Sequence, residues 1–194
     1  MTAIPVDYSP LFTSLLGTDR IPELGPGRPN ESVRKNLVAL ALDRTFDRQK
    51  IVDRDAARCC LSGLWLLHDF LDESHTISQD IDTIDGSYWH GIMHRREPDY
   101  GNAKYWFRRV PSHPVFGSLN EKARELAAKD KPDSAAAFLA TQSTWDPFRF
   151  VDLCEAIARG KSSAESLARQ IARAEWDLLF AYCYRKAIGR TSDA

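Results

Sequence analysis

The stretch SSAESLARQIARAEWDLLFAYCYRKAIG, residues 162–189, decides the fold class of this 194-residue chain. Ser162 and Glu165 have the spacing of a capping box, in which side chains bond the free backbone N–H groups at a helix start. Apolar residues then recur every three or four positions, as on one face of a helix. They are Leu167, Ile171, Ala174, Leu178 and Tyr182. The stretch therefore predicts one long amphipathic helix that Gly189 ends.

The same helical period recurs from residue 31 onward. Asp53 or Asp55 opens a stripe that passes through His68, and this stripe predicts a single helix over about residues 56–75. Asp146 and Pro147 predict another helix, because aspartate is a common N-cap and proline is common at the first helical position. No segment alternates β-branched and polar residues as a strand would. We therefore expect an all-α, single-domain helical bundle of about six to eight helices.

The first thirty residues differ from the rest of the chain. Five of the ten prolines lie there, and proline and glycine interrupt regular structure. We expect residues 1–30 to be an irregular, extended arm that packs on the body through its apolar side chains. Residues 31–194 would form the helical domain.

Composition excludes several broad classes of protein. The chain is 43% apolar and 27% charged, with a formal net charge of −1, which is typical of a folded globular protein and disfavours a nucleic-acid binder. No apolar run approaches the roughly 18 residues of a membrane span. The N-terminus lacks the basic region and apolar core of a signal peptide. The sequence predicts a cytoplasmic protein with no membrane partner, and it leaves the oligomeric state open.

Histidine is the one residue type with an unusual distribution. All five histidines lie in one quarter of the chain, at positions 68, 75, 90, 94 and 113. On one helix, His68 and His75 would share a face with Asp72. On the next helix, His90 and His94 would share a face with Glu97. His113 lies in a predicted loop and is expected to stand apart.

Two facing helices that offer imidazoles and carboxylates can bind a metal ion. We consider His68, Asp72, His90 and His94 as ligands of a divalent ion such as zinc, iron or manganese. The His90–His94 spacing resembles that of zinc proteases, but Gly91 stands where those enzymes have their catalytic glutamate. A zinc protease is therefore excluded.

The same residues could act without a metal. His90 and His94, with Glu97, are candidate general acids or bases. Candidate substrate-binding residues are Arg95, Arg96, Arg109, Trp89 and Asn102, because guanidinium, amide and aromatic groups together bind small polar or anionic molecules. The resulting hypothesis is a small enzyme, either a hydrolase or a lyase, that acts on a small polar or anionic substrate such as a sugar derivative.

Two other interpretations stay open. Each histidine taken singly is more typical of a hydrogen-bonded core residue or a helix C-terminus than of an active site. The basic and aromatic segment 86–116 could also serve a non-catalytic ligand-binding or protein-interaction domain.

The segment 88–109 carries a distinctive core, YWHxIxHRxExDxxNAxYWFRR. This core resembles one shared by a group of small microbial proteins to which no activity is assigned. The resemblance implies no chemistry, so the functional hypothesis depends on the residues themselves.

Overall fold

The computed structural model describes residues 8–17, 20–40, 42, 46 and 50–190. Within them the chain forms ten α-helices, one short 3₁₀ turn and no strand, which confirms the predicted all-α, single-domain fold. The helix count exceeds the expected six to eight partly because three helices have only four to seven residues. Helices that short produce no detectable apolar stripe.

Ten helices follow one another along the described chain, and the fourth, fifth and sixth of them surround the candidate site. They are α1 (Pro10–Leu16), α2 (Arg34–Val38), α3 (Arg54–Leu67), α4 (Leu71–Ser78), α5 (Ile84–Arg96), α6 (Tyr100–Phe107), α7 (Val115–Asp130), α8 (Phe138–Thr141), α9 (Pro147–Ala158) and α10 (Glu165–Ala187). None of these helices is both long and apolar enough to cross a membrane.

Two of the predicted helix starts have the expected side-chain caps. The Asp53 carboxylate accepts a hydrogen bond from the backbone N–H of Ala56 at 2.8 Å. The Asp146 carboxylate accepts from the backbone N–H of Phe148 at 2.9 Å, and Pro147 occupies the first position of α9. These caps satisfy backbone donors that the first turn of a helix leaves free.

The capping box predicted for α10 does not form. The helix begins at Glu165, and its N-cap residue Ala164 makes no side-chain cap. The Ser162 hydroxyl instead donates to the Asp133 carboxylate at 2.8 Å. The Ser162 oxygen also accepts from the backbone N–H of Ala164 at 3.2 Å, and the Asp133 carboxylate accepts from the backbone N–H of Ser163 at 2.7 Å. A carboxylate from a distant part of the chain therefore bonds the segment that leads into α10.

The long helix α10 contributes to both hydrophobic clusters of the domain. Its C-terminal half packs on α3 and α5 through Leu179, Phe180 and Cys183. Its N-terminal half packs on α7 and α9 through Leu167 and Ile171. Burying one helix in both clusters joins them into a single domain.

The N-terminal arm is less extended than predicted, because it contains the helix α1. Pro10 starts this helix, and Phe12 and Leu15 on its inner face are fully buried. The ring of Phe12 packs edge-on against Tyr184 of α10, with ring centroids 5.3 Å apart. Residues 1–7, 18 and 19 of the predicted arm, and residues 41, 43–45, 47–49 and 191–194 of the predicted body, lie outside the described residues.

Arginines of the body hold residues 20–26 of the arm by their backbone carbonyls. Arg169 donates to the carbonyl oxygens of Pro22 and Ile21, and Arg96 donates to that of Gly25. These bonds satisfy carbonyl groups of a segment that has no regular secondary structure of its own.

The predicted helix over residues 56–75 is broken into α3 and α4 at Asp69. Asp69 adopts a left-handed backbone with φ of 63°, a conformation that aspartate tolerates better than most residues. Its buried carboxylate forms ion pairs with both Arg96 of α5 and Arg20 of the arm. Because these contacts hold the break, His68 and His75 do not share the continuous helical face that the sequence predicts.

His68 therefore belongs to the contact between the arm and the body. Its Nε2 lies 3.1 Å from the carbonyl oxygen of Leu15, and its Nδ1 lies 3.3 Å from the side-chain amide of Asn30. Burial lowers the pKa of His68 from its ordinary value of 6.5, although the Leu15 carbonyl favours the charged form. His68 is a core histidine, and the structure does not bear out its predicted role as a metal ligand.

Two glycines let helices approach α5 closely. A Cβ atom at Gly63 of α3 would lie 2.8 Å from the ring of Trp89, and one at Gly91 would lie 3.1 Å from the ring of Phe107 in α6. Trp89 is therefore packed between helices. Its full burial contradicts the prediction that it binds substrate. The glutamate that a zinc protease would need at position 91 has no space beside Phe107.

Arg95 was predicted to bind substrate, but it lies in a buried polar cluster. Its guanidinium pairs with Glu175 of α10, and both side chains are almost completely buried. The Tyr88 hydroxyl donates to the same carboxylate at 3.1 Å, and the ring of Phe150 lies under the guanidinium at 4.6 Å. Charges buried this deeply need a partner, so Arg95 has a structural role.

We expect Glu175→Ala to destabilise the fold by about 3–5 kcal/mol, because it leaves the Arg95 charge buried without a partner. Chemical denaturation measures this loss. The control is the double variant Arg95→Met with Glu175→Leu, which removes both charges and should recover much of the stability. Equal losses in the single and double variants would contradict this account.

Stability should also fall as the pH falls below about 6.5, partly through His68. The unfolded chain protonates His68 near its ordinary pKa of 6.5, whereas the folded chain resists protonation because its pKa is lowered. Each such group contributes a slope of at most about 1.4 kcal/mol per pH unit. Denaturation between pH 7 and pH 5 should show a shallower slope for His68→Gln than for the original chain. Parallel slopes would refute the assignment.

Candidate functional site: an imidazole cluster between three helices

Three histidines converge where α4, α5 and α6 meet. His90 and His94 are one turn apart on α5, and their Nε2 atoms are 2.9 Å apart. His75 of α4 faces both, with ring centroids 4.7 Å from His90 and 5.3 Å from His94. One ring nitrogen from each of the three lies within 4.8 Å of the other two. We call these three residues the imidazole cluster.

Glu97 and Asn102 contact the cluster beside the end of α5. The Glu97 carboxylate lies 2.9 Å from Nδ1 of His94. The side-chain amide of Asn102, from α6, lies 3.0 Å from Nε2 of the same ring. Both residues were predicted to belong to the site, and the Glu97 contact follows from its position three residues after His94.

Ser78 and Trp106 enclose the other side of the cluster. The Ser78 hydroxyl lies 3.0 Å from Nδ1 of His90, and the indole of Trp106 packs on the His90 ring with centroids 4.1 Å apart. Ser78 has no signal in the sequence that distinguishes it from other serines. Trp106 belongs to the basic and aromatic segment 86–116, four residues after Asn102.

Burial keeps the two α5 imidazoles neutral near pH 7. His90 is 2% exposed and His94 is 4% exposed. Burial is the largest effect on His90 and, with the nearby rings of His94 and His75, lowers its pKa to about 3. Burial also lowers the pKa of His94, while the Glu97 carboxylate opposes this shift. Neutral imidazoles can act as bases or bind metal ions.

Solvent reaches the cluster from one side. His75 and Asn102 are half-buried, and the Glu97 side chain is 51% exposed. The cluster is therefore a partly enclosed polar site, and we call its exposed side, at Glu97, the entrance. Such sites at helix junctions can admit small molecules.

The structure replaces two members of the predicted metal-ligand set. His90 and His94 lie in the cluster, but Asp72 is exposed in the first turn of α4 and His68 contacts the arm. His75 takes their place, because the break at Asp69 starts a new helix that turns His75 toward α5. Among the described residues, His75, His90 and His94 are the group that could hold a metal ion.

Arg96, a second predicted substrate-binding arginine, also faces away from the cluster. Its guanidinium pairs with Asp69 and donates to the carbonyl oxygen of Leu66 at 2.7 Å. Arg109, the third, is nearer to the site: it pairs with Asp82 and lies over the ring of Trp106, with 5.0 Å from its guanidinium carbon to the ring centroid. Of the three, Arg109 alone lies beside a residue that contacts the cluster.

His113 stands apart, as predicted. Its Nδ1 accepts a hydrogen bond from the backbone N–H of Val115 at 3.3 Å, so its Nε2 carries the proton and donates to Asp85 at 3.0 Å. Both side chains are buried. His113 orders the start of α7 and takes no part in the cluster.

Comparison with known proteins found no relative of this chain. No family model, curated protein or solved structure matches the chain. Since a fold class alone does not determine function, the function has to be argued from the chemistry of the imidazole cluster.

Proposed function

We propose that this protein is a small enzyme, a hydrolase or a lyase, that acts on a small polar or anionic substrate at the imidazole cluster. One observation carries the proposal. The Glu97 carboxylate accepts a hydrogen bond from Nδ1 of His94 at 2.9 Å, while the Nε2 atom of that ring points into the cluster. A carboxylate that orients an imidazole in this way is a recurring arrangement in enzymes.

The orientation of His94 determines which of its nitrogens can react. A carboxylate only accepts hydrogen bonds, so the proton of the neutral His94 ring lies on Nδ1. Its Nε2 then has a lone pair that faces His90 and accepts a hydrogen bond from the Asn102 amide, which a substrate or an ion would displace. In a hydrolase or lyase, that lone pair would either accept a proton or bind an electrophilic ion.

The groups at the entrance favour a polar substrate. Glu97 and the Asn102 amide can bond hydroxyl or amide groups. Arg109 over Trp106, paired with the exposed Asp82, adds further hydrogen-bond donors at the outer edge. These groups suit a small molecule that carries hydroxyls or an anionic group, such as a sugar derivative.

The rival interpretation, a non-catalytic domain that binds ligands or proteins through segment 86–116, has less support. Arg95 and Arg96 are buried in ion pairs, and the other predicted members of that surface include Trp89, which is fully buried. Lys104 pairs with Asp152. The segment therefore presents less basic and aromatic surface than its sequence predicts.

A stability measurement tests whether the cluster is a functional site or ordinary packing. Functional sites commonly hold groups in arrangements that stability alone would not select, and here two Nε2 atoms are 2.9 Å apart. In chain stripped of metal with a chelator, we expect His94→Gln to leave the melting temperature unchanged or to raise it. His68→Gln, at a packing histidine, should lower it by several degrees. An equal fall in both variants would show that the cluster is packing.

A turnover assay tests the enzyme directly. The purified chain is assayed on chromogenic esters, phosphate esters and glycosides, and on uronic acids for elimination. His94→Gln should lower kcat for an accepted substrate about 10²–10⁴-fold, whereas Asp72→Asn, at an exposed position on the same helix as His75, should behave like the original chain. Substrate binding without turnover would favour the ligand-binding domain instead.

A further inference from the structure

We infer that His75, His90 and His94 bind one divalent transition-metal ion. This inference rests on the proposed function, since the ion would occupy the same site, and it names the cofactor. The ligand set differs from the one that the sequence predicts, because His75 replaces His68 and Asp72. The argument depends on where the ring protons of the two α5 histidines lie.

The proton of His90 is placed by Ser78 and Ser74. The Ser78 hydroxyl has a single hydrogen. Its oxygen lies 2.9 Å from the backbone carbonyl oxygen of Ser74. A carbonyl can only accept a hydrogen bond, so in this contact the hydroxyl is the donor, and we assign its hydrogen to Ser74. The hydroxyl oxygen is then the acceptor for Nδ1–H of His90 at 3.0 Å. The Nε2 atom of His90 therefore has a lone pair.

The same reasoning applied to Glu97 places a lone pair on Nε2 of His94. With these assignments two lone pairs face each other across 2.9 Å, and the Asn102 amide, 3.0 Å from Nε2 of His94, donates to one of them but not to that of His90. Lone pairs at this distance repel unless a positive species lies between or beside them. A metal ion bound to both nitrogens provides that charge without changing either outer hydrogen bond.

The distances suit an ion with several ligands. Metal–nitrogen bonds are near 2.1 Å, so two nitrogens 2.9 Å apart would subtend an angle of about 90° at the ion. Nitrogens bound to one ion can be at most about 4.2 Å apart. In octahedral or tetrahedral geometry they are about 3.0–3.4 Å apart. The ring nitrogen of His75 lies within 4.8 Å of the others, so His75 has to approach them by at most about 1–2 Å, and its half-buried side chain leaves it free to turn.

The donor set identifies the class of ion. Three neutral imidazoles favour zinc, iron and their neighbours in the first transition row, whereas calcium and magnesium require oxygen ligands. Three protein ligands also leave coordination positions open, as in catalytic rather than structural sites. Bound there, the ion would act as a Lewis acid and lower the pKa of coordinated water.

Glu97 and Ser78 complete the site as positioning residues. Each accepts a hydrogen bond from the outer nitrogen of a ligand ring, which fixes the tautomer and the direction of the inner nitrogen. Carboxylate partners of this kind also make the ligand nitrogen more basic, and their loss commonly weakens metal binding about 10–100-fold.

Zinc binding to the full chain tests the inference. The purified protein is stripped with a chelator, and Zn²⁺ is then titrated in by calorimetry, with the metal content determined on the dialysed product. We expect one ion per chain and a rise in melting temperature on addition of zinc. His75→Gln, His90→Gln and His94→Gln should each weaken binding by about 100-fold or more. Asp72→Asn is the matched control and should bind like the original chain.

A second variant separates the positioning role of Glu97 from loss of fold. Glu97→Gln keeps an acceptor for Nδ1–H of His94 but removes the charge, so zinc affinity should fall about 10–100-fold while the melting temperature of the metal-free chain stays unchanged. An affinity equal to that of the original chain would overturn this role.

The outcomes distinguish the metal site from the proposed function. Absence of zinc binding, or binding that is unaltered in all three histidine variants, overturns the inference. If zinc fails to bind while His94→Gln still abolishes turnover, the proposed enzymatic function is supported and the metal site is refuted. If zinc binds through the three histidines and no substrate is turned over, the metal site stands and the catalytic proposal fails.

Discussion

The buried carboxylate of Asp69 is the contact on which the geometry of this protein depends. A buried charge has to be paired, and Asp69 is paired with Arg96 of α5 and Arg20 of the N-terminal arm. These two ion pairs hold a left-handed residue between α3 and α4. They fix the arm over the body and, by ending α3 where they do, turn α4 so that His75 faces α5. The arm, the break and the site are thus consequences of one pair of contacts.

The parts of the fold that depend on neighbouring residues could be predicted from the sequence. The caps at Asp53 and Asp146 act within three residues, and the spacing of His90, His94 and Glu97 lies within two turns of one helix. Local patterns of this kind can be recognised from neighbouring residues alone. They were sufficient for the fold class and for two of the three histidines of the imidazole cluster, His90 and His94.

The remaining features depend on residues far apart in the chain. The apolar period continues across His68 and Leu71 as if the helix did not end, and the ion pairs that end it come from residues 27 and 49 positions away. Arg95 provides a second example. Arginine is usually exposed, and its burial becomes intelligible only when Glu175, 80 positions later, is seen beside it. No local pattern in the sequence predicts an ion-pair partner so far away along the chain.

The contacts that hold the arm affect how freely its sequence can change. Arginines of the body bond its backbone carbonyls at Ile21, Pro22 and Gly25, and every residue type offers the same carbonyl. Residues 21–26 of the arm can therefore change most of their side chains without losing these bonds. Gly27 is an exception, because a Cβ there would lie 2.6 Å from the carboxyl carbon of Asp69. Divergence along this segment should thus be rapid, except at the residues that meet Asp69.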